Sequence, residues 1–272
     1  MAAATDQSLL QPLIHRPAGG DNATSDSDSG ILLRLLSVIL IGAVSLWANR
    51  EAAKGFDITI VNNVNNSPVG RKFDLFYRSD DKACRILLST SSFVERLLYD
   101  RVPLHHRKLV SRVTVRLSGE NSTVRIPVTS GASHGDYVIS LSSSLMEDRD
   151  YDRIITSTLR RAMVRIWLWG DEAGAPLQVM AGMAEYIAAM AVGEEDSSQL
   201  LDRGGSQDCW KDHDPESVAK FLAYCDGLSE GFIGRLNQRM RRHRWDDRTV
   251  DMAFGNRTAE SACDEMARRI KA

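Results

Sequence analysis

The side chains that could do chemistry in this sequence are six histidines, four cysteines and several clusters of carboxylates and arginines. A hydrolytic zinc site needs two neutral imidazoles one helical turn apart and a third donor nearby. His15, the adjacent pair His105 and His106, His134, His213 and His243 supply no such pair on a helical stretch. Asp212-His213-Asp214 is the most metal-like cluster, but Pro215 follows it. Asp before Pro is how a helix starts, so the cluster reads as a cap with a solvated histidine. His105 and His106 lie among Arg101, Arg107 and Lys108 and read as surface. Cys84, Cys209, Cys225 and Cys263 lack Cys-x-x-Cys spacing; oxidised they allow three pairings, and buried thiols are the alternative. No glycine-rich phosphate loop and no nucleophile elbow occurs. Met180, Met183 and Met190 recur at the spacing of a helical core stripe. Arg235, Arg239, Arg241, Arg242 and Arg244 read as a solvated helix face, one that beside a membrane could touch anionic headgroups.

The elements that must position these groups belong to an ordinary globular chain. Its 34 Lys plus Arg against 36 Asp plus Glu exclude nucleic-acid binding by bulk charge, so no nucleic-acid partner is expected. At 43% hydrophobic and 26% charged residues, wholesale disorder and a multi-span membrane protein are both poor fits. Residues 1–30 are polar and acidic and read as a disordered tail. Residues 31–48, ILLRLLSVILIGAVSLWA, are broken only by Arg34 and small residues, which fits a single membrane-spanning anchor. An acidic tail before the run argues against a cleaved signal peptide, and the lack of a polar face from Leu35 to Leu46 argues against a buried soluble helix. Arg34 at one end and Arg50 with Lys54 at the other leave the orientation open. Asn22, Asn121 and Asn256 head sequons compatible with a lumenal glycoprotein.

Residues 54–272 can bury a real core. Phe56 to Val61, Val113 to Leu117, Val124 to Val128 and Asp136 to Leu141 alternate as strands, with Pro127 placing its strand at an edge. Asn65-Asn66-Ser67-Pro68 is turn chemistry, and Ala83 to Leu98 has helical spacing. The second half is helical: Tyr151 to Trp169 with a stripe of Ile155, Leu159, Ala162 and Ile166, then Val179 to Val192, Glu216 to Cys225, Glu230 to Arg241 and Ala259 to Lys271. Strands first and helices second predict an α+β domain with a mixed sheet.

One stretch carries a resemblance. Arg161-Ala-Met-Val-Arg-Ile-Trp-Leu-Trp169, then Ala175-Pro176, then Ala181-Gly-Met-Ala-Glu-Tyr-Ile187 is similar to the plant basic secretory protein family, a zincin-like group regarded as metallopeptidases. That family usually reads H-E-x-x-H-x-W-x-W on its core helix and E-G-x-A-D-Y on the next. Val218 to Cys225 and Gly231 to Asn237 resemble its C-terminal portion, so the likeness runs from about Lys54 onward.

In the family the two histidines and a carboxylate of the following helix hold zinc, and the glutamate activates its water. Here the four positions are Arg161, Ala162, Arg165 and Ala181. Arginine offers only donors and alanine nothing, so the resemblance implies a zincin-like fold with a degenerate site and no zinc or other cofactor. Three readings of the altered pocket stand: one or both arginines pair with Glu185 in a cleft that also holds Tyr186; they bind an anionic ligand such as a peptide carboxylate; or they lie on a solvated face with Arg153 and Arg160. Trp167 and Trp169 read as packing residues. The expected function is a membrane-anchored, non-catalytic binding or scaffold module with a peptide or protein as partner. An active hydrolase with a relocated metal or an unrecognised mechanism is the alternative. The resemblance implies a lumenal or extracellular domain.

Overall fold

The computed structural model describes residues 27–52, 55–119, 128–193, 209–255 and 257–271 of the chain. It divides into two units, residues 1–53 and 54–272. In the first, helix α1 runs Ser27–Ala52, so the tail expected to reach residue 30 is already helical at Ser27, and residues 1–26 lie outside the described ones. The described side chains of α1 span 32–45 and are all exposed, Leu33 at 71% among them. Among the described residues no helix is long and apolar enough to cross a membrane, so the spanning helix expected over 31–48 is not supported.

The second unit is α+β, mostly helical, around one mixed four-stranded sheet ordered β1-β2-β4-β3. Strands β1 (Asp57–Asn62), β2 (Arg112–Ser118) and β4 (Asp136–Ser142) are parallel, with Ile60, Val115 and Ile139 in register. Val113, Val115 and Leu117 are fully buried while Arg112 and Arg116 are exposed, the alternation that the sequence carries. Strand β3 (Val128–Ser130) pairs antiparallel with β4 at the sheet edge; of the strand expected over Val124 to Val128 only Val128 is described, and Pro127 with residues 124–126 lies outside the described residues. Parallel β1 and β2 need a crossover. It consists of α2 (Pro68–Phe73), a π-helical turn at Asp74–Arg78, and α3 (Lys82–Tyr99). Ser67 caps α2 by accepting from the Gly70 N–H at 2.9 Å. Gly70 has no room for a side chain, since a Cβ there would meet the Val64 carbonyl oxygen at 2.0 Å.

Helix α4 (Tyr151–Trp167) packs between α3 and α6 (Leu177–Met190) and touches β3 and β4. Its stripe of Ile155, Leu159, Ala162 and Ile166 is at most 1% exposed, as the spacing predicts. The helix stops at Trp167, two residues before the expected end, because distant groups take its backbone. The Leu168 carbonyl accepts from Lys108 Nζ at 2.5 Å, and the Trp169 N–H donates to Asn237 Oδ1 at 3.0 Å. Short α5 (Gly170–Ala173) then closes on Gly174, whose φ of 70° suits glycine. Helices α7 (Pro215–Leu228), α8 (Phe232–Arg242), α9 (Thr249–Phe254) and α10 (Ala259–Lys271) complete the domain. A disulfide joins Cys209 to Cys263 of α10, one of the open pairings, and the Cys225 thiol is buried. Asn22, Asn121 and Asn256 all lie outside the described residues.

Candidate functional site

The residues singled out in the pentad sit on the last turns of α4, where α6 and α5 meet it. Ala162 is fully buried and Ala181 is 8% exposed, so both fill the helix interface and offer no donor. Arg161 and Arg165 are one turn apart but take different partners. Arg161 Nη1 donates to Glu185 Oε2 of α6 at 3.0 Å, Nη2 to Ser157 Oγ at 2.8 Å, and Nε to the Ser157 carbonyl at 3.3 Å. Both members of the Arg161–Glu185 pair are about a quarter exposed, so water screens it only partly. Arg165, only 12% exposed, forks onto Asp171 of α5, with Nη2 to Oδ1 at 2.5 Å and Nε to Oδ2 at 3.3 Å.

Tyr186, placed by sequence in the same cleft, points away from it. Its hydroxyl donates to Asp226 Oδ2 on α7 at 3.2 Å, and burial, then Asp226, raises its pKa. Asp226 also accepts from the Ile233 N–H at the start of α8, at 3.2 Å, so Tyr186 belongs to a helix-joining contact. The four expected residues therefore form one cross-helix pair, one local pair and one remote hydrogen bond. With both guanidiniums already facing carboxylates, the anionic-ligand reading loses its free cation. Arg153 is exposed and Arg160 half-buried, the solvated face expected for those two alone.

The donor set at these positions does not fit zinc. Two guanidiniums carry only N–H donors and stay charged, and the methyls of Ala162 and Ala181 cannot coordinate. Among the described residues no group of three or more His, Cys, Asp or Glu could hold a metal ion. Asp214 caps α7, accepting from the Ser217 N–H at 3.1 Å, with His213 exposed beside it. The His105 and His106 rings lie 4.1 Å apart, tilted by 59°, with His105 exposed and His106 half-buried. Met180 and Met183 are fully buried and Met190 half-buried, a core stripe.

Beyond the pentad lies a polar network that sequence reasoning missed. Trp167 is 5% exposed and donates through Nε1 to Ser91 Oγ at 3.0 Å. The Tyr99 hydroxyl donates to the Trp167 carbonyl at 2.6 Å and accepts from Asn237 Nδ2 at 3.3 Å. Lys108, 6% exposed, reaches Glu172 at 2.9 Å and lies 5.5 Å from the ring centres of both Tyr137 and Trp169. Desolvation lowers the Lys108 pKa, offset by Glu172. Burial pushes the Tyr137 phenol up to about 12. One signal was available: Asn237 sits on the stripe of Ile233, Leu236 and Met240, and a polar residue on an apolar stripe calls for a buried partner. Nothing in the local sequence marks Lys108.

A family model described as peptidase of plants and bacteria matches residues 53–266. No curated protein and no solved structure matches the chain.

Proposed function

The chain belongs to the basic secretory protein family, the peptidases of plants and bacteria, and on that premise we propose a peptidase-like protein that has exchanged its zinc ligands and general base for a structural ion pair. It works as a non-catalytic binding or scaffold module of zincin-like fold. The observation that carries this reading is the Arg161 guanidinium, at the first ligand position, bound to Glu185 at 3.0 Å. A cation supplied by the chain takes the place of a cation supplied from solution and fastens α4 to α6.

The second unit's disulfide supports placing this domain in a lumenal or extracellular compartment, where such bonds persist. The exposed apolar side chains of α1, over 32–45, support membrane attachment through the run 31–48, since water leaves such a surface unburied at high cost. The reading is tested by incubating the full chain with zinc and a library of quenched fluorescent peptides. No cleavage above the buffer rate is expected. Cleavage that a chelator abolishes would overturn the non-catalytic reading and return the chain to the active peptidases.

A further inference from the structure

Strand β1 ends the sheet with one side of its backbone unused. In its parallel pairing with β2, the Asp57 N–H donates to the Ser111 carbonyl and the Asn63 N–H to the Leu117 carbonyl, each at 3.0 Å. The register between them is unbroken. The odd-numbered residues therefore spend their N–H and carbonyl groups on β2, and those of Ile58, Ile60 and Asn62 point outward. No described residue hydrogen-bonds to these outward backbone groups. Packing opens at the same edge. Ile60, Val115 and Ile139 lie side by side across the core face; the inner two are fully buried, whereas Ile60 and its neighbour Ile58 are only half-buried. On the other face Thr59 is exposed, as is Asp57, whose side chain is 78% open to water.

Edge strands are usually blunted by brevity, lysine, proline or a bulge, because unpaired backbone invites another strand. The opposite edge is blunted in this way, since β3 is three residues long. Strand β1 has six residues, Asp-Ile-Thr-Ile-Val-Asn, with no lysine, proline or bulge. Its unpaired N–H and carbonyl groups call for an extended strand, and its half-covered isoleucines call for apolar side chains at alternate positions of that strand. We propose that the occupant is β1 of a second copy of this chain, paired antiparallel about a two-fold axis at Ile60. In that register Ile60 faces its own counterpart, Ile58 faces Asn62, and Thr59 faces Val61. Every outward N–H and carbonyl of β1 then finds a partner, and two four-stranded sheets join into one. The isoleucines of each copy extend the half-covered row of the other, and β-branched residues opposed across strands are favourable. Asp57, the single charge on the strand, falls opposite Asn63, so its two copies stand at opposite ends of the seam. A foreign strand could satisfy the backbone alone, whereas a second copy also supplies isoleucines at the matching positions and has the same edge to cover.

The proposal does not rest on the non-catalytic reading or on that of α1. The full chain in a neutral detergent is followed by sedimentation velocity and by amide hydrogen exchange over residues 57–62. A dimer is expected, with those amides exchanging several-fold more slowly than after dilution to the monomer. Thr59→Lys and Val61→Glu each place like charges diagonally across the seam and weaken the dimer several-fold. Mixing the two variants restores it, because opposite charges then face each other in this register. A chain that stays monomeric at every concentration overturns the proposal. So does a dimer indifferent to both substitutions, which would put the contact elsewhere, α1 included. Loss of the dimer in both variants without recovery in the mixture overturns the register. A monomer whose 57–62 amides slow on addition of an alternating valine–threonine peptide also overturns self-pairing and gives the edge to a foreign strand.

Discussion

Arg161 spends all three of its donor groups on two residues, Ser157 and Glu185, and only the second belongs to another helix. Removing either partner leaves a partly desolvated charge, so Arg161→Ala and Glu185→Ala should each lower stability by about 1–2 kcal/mol. A double-mutant cycle read by denaturant midpoint checks this, and additive losses would mean that the pair does not fasten α4 to α6. Arg165→Ala should cost less, because its partner Asp171 is 57% exposed and lies only six residues away. At this scale the sequence was informative about spacing and silent about direction. The pentad fixed Arg161 and Arg165 on one side of a helix, yet their partners depend on where α5 and α6 approach. Asp171 was invisible because α5 is a four-residue helix with no periodicity to read. Tyr186 was misplaced because a helix presents adjacent residues about 100° apart, so Glu185 facing α4 sends Tyr186 toward α7.

Elements end and pack here according to long-range partners as much as to local pattern. The long helices and alternating strands were legible, whereas α2, α5 and α9 are too short for a 3.6-residue repeat to register. The end of α4 was placed two residues late because apolar Trp167 and Trp169 continue its pattern, while Lys108 and Asn237 claim the next carbonyl and N–H. Asn237→Leu should therefore cost about 2 kcal/mol, leaving the Trp169 N–H without its acceptor, and should shift the tryptophan fluorescence of the native state. Gly182 tests helix packing. A Cβ there would sit 2.5 Å from Val218 Cγ1 and 3.2 Å from the Ala219 nitrogen. Gly182→Ala should destabilise by about 1–3 kcal/mol despite its better helix propensity, and Val218→Ala in the same chain should recover only part of the loss. A thermal melt that rises on Gly182→Ala would show that α6 and α7 are not tightly apposed.

At the largest scale the second unit is held by one hydrophobic core and a disulfide, and it withdraws a set of phenols from water. Cys209 and Cys263 are 54 residues apart, and cross-linking a loop of that length stabilises by about 4 kcal/mol in the chain-entropy view. Reduction should lower the melting temperature accordingly; an unchanged melt would mean that the bond does not form in solution. Tyr77, Tyr99, Tyr137 and Tyr186 all have pKa values raised above 10.0, each by burial first. The folded chain keeps these protons while the unfolded chain releases them above pH 10.0, so their contribution is complete below that pH and is lost as pH rises through it. Tyr224 and the Cys225 thiol are raised by burial in the same way, so Lys108, lowered from 10.5, works in the opposite sense as one group against six. The denaturant midpoint should fall as pH is raised past 10.0, and a flat midpoint would show the phenols are open to water. The central claim remains the exchange of a metal for a guanidinium, and zinc content tests it most directly. The purified full chain is compared by elemental analysis with the variant Arg161→His, Ala162→Glu, Arg165→His, Ala181→Glu. A zinc-free native chain beside a variant that takes up one zinc is the expected result. One zinc per native chain, retained through dialysis, would contradict it and require a metal site formed by other residues.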